Sequence, residues 1–272
     1  MKKATLLFNL IAAAIITAAN PAHAQFGGLL QKAKDKAAQK ASDALDKKTS
    51  TAQTQNQTTT KSNRATINEG FDFVPGDTLL LAEDFANIPT GSSTHTFKTN
   101  GSASVVAING QDGKWLALGD NATYKFTKQI FYPKHFTIEF DIFTAVDVVK
   151  DIYPITTGFI NDNSVKDYNS GTGAYLQLKY YNNDDIEVYS SFISKNLNTR
   201  FDLTAYANRP MHISMNVDGD RMAVYIDKTK IADTLLFLPT TAKNFFISGP
   251  MQYQNGAKAL VSNFRIMGFK KS

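Results

Sequence analysis

The carboxylates closest to a catalytic spacing are Glu139 and Asp141, in the run Phe136-Thr-Ile-Glu-Phe-Asp141. Two residues apart on a strand, both side chains face the same way, about 6–7 Å apart at the strand rise. A retaining glycosidase holds its nucleophile and general acid at about 5–5.5 Å. The four histidines, His23, His95, His135 and His212, are scattered. No HxH or HExxH spacing occurs, so no His-ligated zinc site is assigned. The chain has no cysteine, which removes disulfides, thiolate metal sites and thiol nucleophiles. It also has no GxSxG, P-loop or GxGxxG. Asn161-Asp162-Asn163 to Asp167 clusters oxygen ligands but lacks the glycine and distal glutamate of a calcium loop, and reads as a polar loop. Asp218-Gly219-Asp220 reads as a turn that needs no metal. No metal or cofactor is expected.

The elements that would position such groups are strands. Met211 to Asp233 is the clearest: Met211, Ile213, Met215 and Val217 alternate with polar residues, as do Met222, Val224 and Ile226 after the Asp-Gly turn. Period-2 alternation on both sides of that turn is a hairpin with one buried face. From Phe71 onward such runs recur every 8–15 residues: 78–85, 103–108, 115–118, 122–127, 136–144, 155–160, 174–180, 186–193, 211–217, 221–226, 244–248 and 259–269. About a dozen short strands with Asn-Gly and Asp-Gly turns predict an all-β protein, a two-sheet antiparallel jelly-roll sandwich.

Four segments are expected. Residues 1–24 read as a signal peptide, with Lys2 and Lys3, the apolar run Leu6 to Ala18 and a small-x-small site at Ala22-His23-Ala24. Residues 25–48 read as an amphipathic helix whose stripe is mostly alanine, either a spacer or a weak contact to a membrane surface or another helix. Residues 49–66, rich in Thr, Gln, Asn and Ser, read as a flexible linker. Residues 67–272 are the sandwich. Export places the chain in the periplasm, at the outer membrane or outside the cell, and no run beyond the signal is apolar and long enough for a membrane helix. The net charge of +5 sits in the N-terminal part, because residues 66–272 hold 19 basic and 21 acidic groups. The folded part is not basic, and nucleic acid is excluded as a partner.

The polar sets of the strands suggest a wet sheet face. Ile138, Phe140 and Ile142 oppose Thr137, Glu139 and Asp141, while Leu176 and Leu178 oppose Tyr175, Gln177 and Lys179. Ile186 and Val188 oppose Glu187 and Tyr189, and the hairpin adds His212, Ser214 and Asn216. Tyrosine rings beside amides and carboxylates suit a sugar, the ring as platform and the polar groups for hydroxyls. The plain alternative is a solvated sheet face with cross-strand pairs. The candidate ligand-binding residues are Glu139, Asp141, Tyr175, Gln177, Tyr189, His212 and Asn216, with no catalytic residue assigned.

On these residues the chain resembles known families. A sandwich with a Glu-x-Asp strand resembles concanavalin-like glucanases of the laminarinase type, whose motif continues to a further glutamate that acts as acid/base. Here Ile142, Phe143, Thr144 and Ala145 follow Asp141, so the catalytic set is incomplete. The hairpin, Leu81-Ala-Glu-Asp-Phe85 and Val261-Ser-Asn-Phe-Arg-Ile266 resemble strands of concanavalin A-like and laminin-G-like lectin domains. The signal, Lys/Ala/Asp helix, polar linker and Phe71-Asp-Phe-Val-Pro-Gly-Asp77 together resemble the region before the OmpA-type domain of secreted Bacteroidetes proteins. No OmpA-like domain follows in this sequence, so wall anchoring is not implied. Some concanavalin-like domains hold a structural calcium, for which Asp84 and Asn263 would be the positions to test. The resemblance implies a non-catalytic envelope module that binds a glycan or envelope polymer. The alternatives are a protein-interaction or structural module of the envelope and, more remotely, a glucanase.

Overall fold

The computed structural model describes residues 71–182 and 185–270. The expected signal peptide (1–24), amphipathic helix (25–48) and polar linker (49–66) lie outside the described residues. The described residues form two antiparallel sheets packed as a sandwich, with only three short 3-10 turns at Val149–Asp151, Tyr180–Asn182 and Leu203–Tyr206. Fifteen strands are divided between the sheets, eight in the first and seven in the second. The first sheet contains β1 (Thr78–Glu83), β3 (Ala103–Val106), β4 (Trp115–Leu118), β6 (His135–Ala145), β11 (Pro210–Asp218), β12 (Arg221–Ile226), β13 (Thr229–Leu235) and β15 (Lys258–Gly268). Its order is β13-β12-β11-β6-β15-β4-β3, with β1 also paired to β15. The second sheet contains β2 (Phe97–Thr99), β5 (Thr123–Phe126), β7 (Ile155–Ile160), β8 (Ala174–Lys179), β9 (Asp185–Ser190), β10 (Lys195–Arg200) and β14 (Asn244–Ser248). Its order is β10-β9-β8-β7-β14-β5-β2.

The alternation in the sequence sets the core. Ile138, Phe140 and Ile142 of β6 and Met211, Ile213, Met215 and Val217 of β11 are buried between the sheets. Phe264 is the centre of an aromatic cluster, within 4.9–6.4 Å of Phe85, Phe97, Phe126, Phe140 and Phe245 by ring centroids. It reaches that place through a bulge in β15. Between Ser262 and Arg265 the register against β6 shifts, and Asn263 adopts φ 56°. An asparagine tolerates that left-handed backbone, and the bulge sends Phe264 inward and Asn263 outward. The hairpin forms as read: β11 and β12 pair from Ile213↔Ile226 to Asp218↔Arg221, leaving a two-residue turn with Gly219 at φ 60°.

Each outer face is partly covered. The Phe71–Asp77 run, which the sequence offered only as a family resemblance, is a strap across the first sheet. Phe73 packs edge-on against Tyr225 of β12 at 5.4 Å. Asp72 accepts from the Tyr225 hydroxyl at 3.0 Å and from Lys230 at 2.5 Å. Gly76 N donates to Thr137 Oγ1 of β6 at 3.2 Å, and Asp77 N to Gly268 O at 2.9 Å. Only glycine fits at 76, because a Cβ there would stand 2.5 Å from Gly268 O. On the second sheet, the loop from Asn161 to Gly173 lies over β5, β7 and β14. Asn169 N donates to Thr123 Oγ1, Tyr168 Oη to Gly249 O, and the buried Lys125 ammonium to Asp162 O. That loop contains the polar Asn161–Asp167 segment of the sequence, where Asp162 accepts from the Ser164 hydroxyl.

Candidate functional site

The structure divides the seven candidate residues between the two opposite faces of the sandwich. Glu139, Asp141, His212 and Asn216 stand on the first sheet, and Tyr175, Gln177 and Tyr189 on the second. The expectation of one shared face is therefore corrected. Periodicity gives the side of a strand that is wet, but not which sheet the strand joins.

The second-sheet set is already occupied by its own neighbours. Tyr175 and Tyr189 are registered partners on β8 and β9, with centroids 5.3 Å apart, but Tyr175 is only 5% exposed and offers no open platform. Its burial pushes the phenol up to about 12. Gln177 donates to Thr156 Oγ1 at 3.1 Å and to Ser170 O at 3.2 Å. Glu187 takes Lys179 at 2.5 Å, with Asp185 at 3.8 Å from the same ammonium. This is the arrangement of ordinary cross-strand pairs on a sheet surface.

The first sheet holds a different arrangement. β11 pairs with β6 so that His212 lies opposite Asp141 and Ser214 opposite Glu139. His212 Nδ1 bonds Asp141 Oδ1 at 2.6 Å, and Nε2 stands 3.5 Å from Glu139 Oε2. The bulged Asn263 donates to the other Asp141 oxygen at 2.7 Å, so Asp141 is held from both sides. The Asp141 and then the Glu139 carboxylates raise the imidazole to about 9 against the desolvation that opposes them, so His212 is a cation at neutral pH. Asn216 points away from this group and bonds His135 Nε2 at 2.9 Å, beside the stacked Phe269 ring.

Above this floor lies an open cleft of about 790 Å³, lined by Phe71, Phe73 and Pro75 of the strap, by Glu139, His212 and Ser214 of the sheet, and by Tyr206, Asp227, Lys228 and Thr229. Asp227, at the left-handed φ of 49°, accepts His212 N at 3.1 Å and Tyr206 Oη at 2.6 Å, with Arg209 at 3.9 Å. Burial and the Asp227 carboxylate push Tyr206 up to about 12, so it remains a neutral donor. Phe71 is 46% exposed and forms the accessible apolar wall. Ser214 is 1% exposed, and its hydroxyl is buried with no hydrogen-bond partner among the described residues. A buried hydroxyl without a partner carries a desolvation cost, and a ligand atom or water reaches this one only if the cleft floor opens.

Of the cleft residues, the candidate set contained Glu139 and His212, with Asp141 acting behind them. It lacked Phe71, Phe73, Tyr206, Asp227 and Ser214. Ser214 and Asp227 carried the alternation signal that marks the wet face. Phe71 and Phe73 precede β1, and their role depends on a strap that no periodicity announces. For calcium, Asp84 already accepts Ala86 N and Asn263 is spent on Asp141. The described residues hold no group of three His, Asp or Glu side chains arranged for a metal.

The His212 charge makes stability depend on pH. Its pKa is higher folded (about 9) than the ordinary 6.5, so its contribution is complete below about pH 6.5 and is lost as pH rises through 9. The side chain is 40% exposed, so solvent screening reduces the effect to roughly 1–2 kcal/mol. Chemical denaturation at pH 6 and pH 9.5 should show a loss of that size in the wild type and a smaller one in His212→Gln. Equal losses in both proteins would show that His212 does not carry it.

No family model matches the chain, and no curated protein matches it. Among solved structures it is similar to arcelin-5, a lectin-like defense protein from Phaseolus vulgaris, with TM-score 0.49 and 12% identity over 65% of this chain and 94% of that one. It is also similar to the botulinum neurotoxin serotype D ligand binding domain in complex with N-acetylneuraminic acid, with TM-score 0.47 and 13% identity over 72% of this chain and 48% of that one. A sialidase gives TM-score 0.48 and 15% identity over 71% of this chain and 19% of that one. The chain thus spans about half of the neurotoxin domain and about a fifth of the sialidase. Likeness at this level carries no argument about ligand or activity, which rest on the cleft itself.

Proposed function

We propose that the protein is a non-catalytic binding module for a glycan or envelope polymer, and that the ligand enters the cleft between the strap and the first sheet. The observation that carries this reading is the pairing of an exposed aromatic wall, Phe71, with a polar floor of Glu139, His212 and Asp227. A sugar ring has the matching two sides, a C–H face that packs on an aromatic ring and an edge of hydroxyls. The floor supports binding rather than turnover. His212, charged at neutral pH, is no general base, and Asp141 has both oxygens engaged. The signal-like N-terminus supports an address in the cell envelope or outside the cell, and the 25–48 segment supports a contact there to an envelope protein or membrane surface.

Phe71→Ala and Ser214→Ala separate binding from folding. Losing the exposed Phe71 ring should weaken a ligand about 5–10-fold, while removing a covered hydroxyl that has no partner should leave the free protein as stable or more stable by about 1 kcal/mol. A glycan array with wild type, Ser214→Ala and Phe71→Ala tests this, followed by calorimetry on the best glycan. Absence of binding to every glycan, peptidoglycan fragments included, would sink the reading.

A further inference from the structure

We infer that one end of the sandwich is a docking rim for an anionic lipid bilayer. This surface is separate from the cleft, and the inference does not depend on the glycan reading. Phe131 is 87% exposed at the tip of the loop between β5 and β6, and stacks on no other ring among the described residues. Leu235, 48% exposed, ends β13, and Leu238, 50% exposed, stands in the loop that follows it. The two loops face each other across a cleft of about 490 Å³ lined by Phe131, Pro133 and Pro239 among others. The β11–β12 turn joins them, because Gly219 N donates to Lys134 O and Leu236 N to Asp220 O. Leu80, 38% exposed, extends the same end, because Gly268 sits between its side chain and that of Pro133.

An exposed phenylalanine costs little when it enters the headgroup boundary and gains nothing in water. Residues 127–134 and 235–243 carry three lysines, Lys128, Lys134 and Lys243, and no carboxylate. Lys128 and Lys134 are exposed on the two flanks of Phe131. Asp218 stands 3.9 Å from Lys134, and Asp220 lies in the neighbouring turn. Apolar tips flanked by lysines complement a surface that is apolar beneath anionic headgroups. A protein interface would instead need its apolar residues fused into one packed core, and here they stand on separate tips.

The test is co-sedimentation of the mature chain from Gln25 with vesicles of phosphatidylglycerol and phosphatidylcholine in equal parts, and with pure phosphatidylcholine. The protein should sediment with the anionic vesicles, less as salt rises. Phe131→Ser/Leu238→Ser should weaken this at least tenfold, and Lys128→Gln/Lys134→Gln should flatten the salt dependence. These positions are exposed, so thermal melting should be unchanged and glycan binding at the cleft retained. No sedimentation, equal sedimentation with both vesicles, or undiminished binding by the Phe131→Ser/Leu238→Ser variant would overturn the inference, the last by moving the contact to residues 25–48.

Discussion

Replacing Phe264 with alanine is expected to cost about 3–5 kcal/mol of folding stability, the range for a fully buried phenylalanine whose cavity cannot collapse. Phe264 is 2% exposed, and its ring meets five others drawn from both sheets. It stacks on Phe140 of its own sheet at 5.2 Å and 12°, and approaches Phe126 and Phe245 of the facing sheet at 6.1 and 6.4 Å. Each pair adds about 0.5–1.5 kcal/mol beyond the buried area. The surrounding strands are pinned by ladders on both sides, so they cannot close over the void. Urea denaturation should show a lower midpoint with an unchanged slope. A loss under 1 kcal/mol would mean that the two sheets are not joined through this cluster.

The second large effect is expected at Asp141. Asp141→Asn removes the charge that His212 meets at 2.6 Å and places an amide against the amide of Asn263. Hydrogen bonds to charged groups contribute about 1.5–3 kcal/mol, and a buried partner left unmade costs a similar amount. The variant should lose about 2–3 kcal/mol at pH 6. The His212 imidazole, followed by proton NMR, should titrate more than one pH unit lower than in the wild type. Glu139→Gln should do less, because its oxygen stands 3.5 Å from the ring. If Asp141→Asn leaves the His212 titration unmoved, the carboxylate is not what holds the imidazole charged. The geometry gives the Glu-x-Asp strand a structural role. The two acids, two residues apart on one face of the strand, both meet His212, and the spacing that suggested acid and base here flanks a cation.

Most of the strands that the sequence showed carry a buried apolar set, on one face in β6, β9 and β11 and on both in β5 and β14. Twelve strands were legible, and the β11–β12 hairpin appears in the register its turn dictates. The three that were not legible have physical reasons. β2, Phe97–Thr99, is three residues long, too short for a period to show. β10, Lys195–Arg200, is an edge strand with no fully buried side chain, and β13, Thr229–Leu235, is the opposite sheet's edge with one. Edge strands can carry polar residues on both faces, which erases the alternation that reveals a strand. The site was half legible for a related reason. Glu139, Asp141 and His212 lie on central strands with clear sidedness, and the structure brings them together. Tyr175, Gln177 and Tyr189 show the same sidedness but belong to the other sheet, and membership of a sheet is set by long-range pairing that local period does not carry. The aromatic wall comes from outside any strand. Phe71 and Phe73 owe their place to Asp72, whose carboxyl Lys230 and Tyr225 hold below its ordinary range, and to the close approach at Gly76.

The central claim is that a ligand binds between the strap and the first sheet, and chemical-shift mapping by NMR tests it most directly. With a glycan identified on the array, titration should move the signals of Phe71, His212 and Ser214 together, with one affinity, while Tyr175, Gln177 and Tyr189 on the opposite face stay in place. Shifts centred on Tyr175 and Tyr189, or spread evenly over both faces without saturation, would contradict the account.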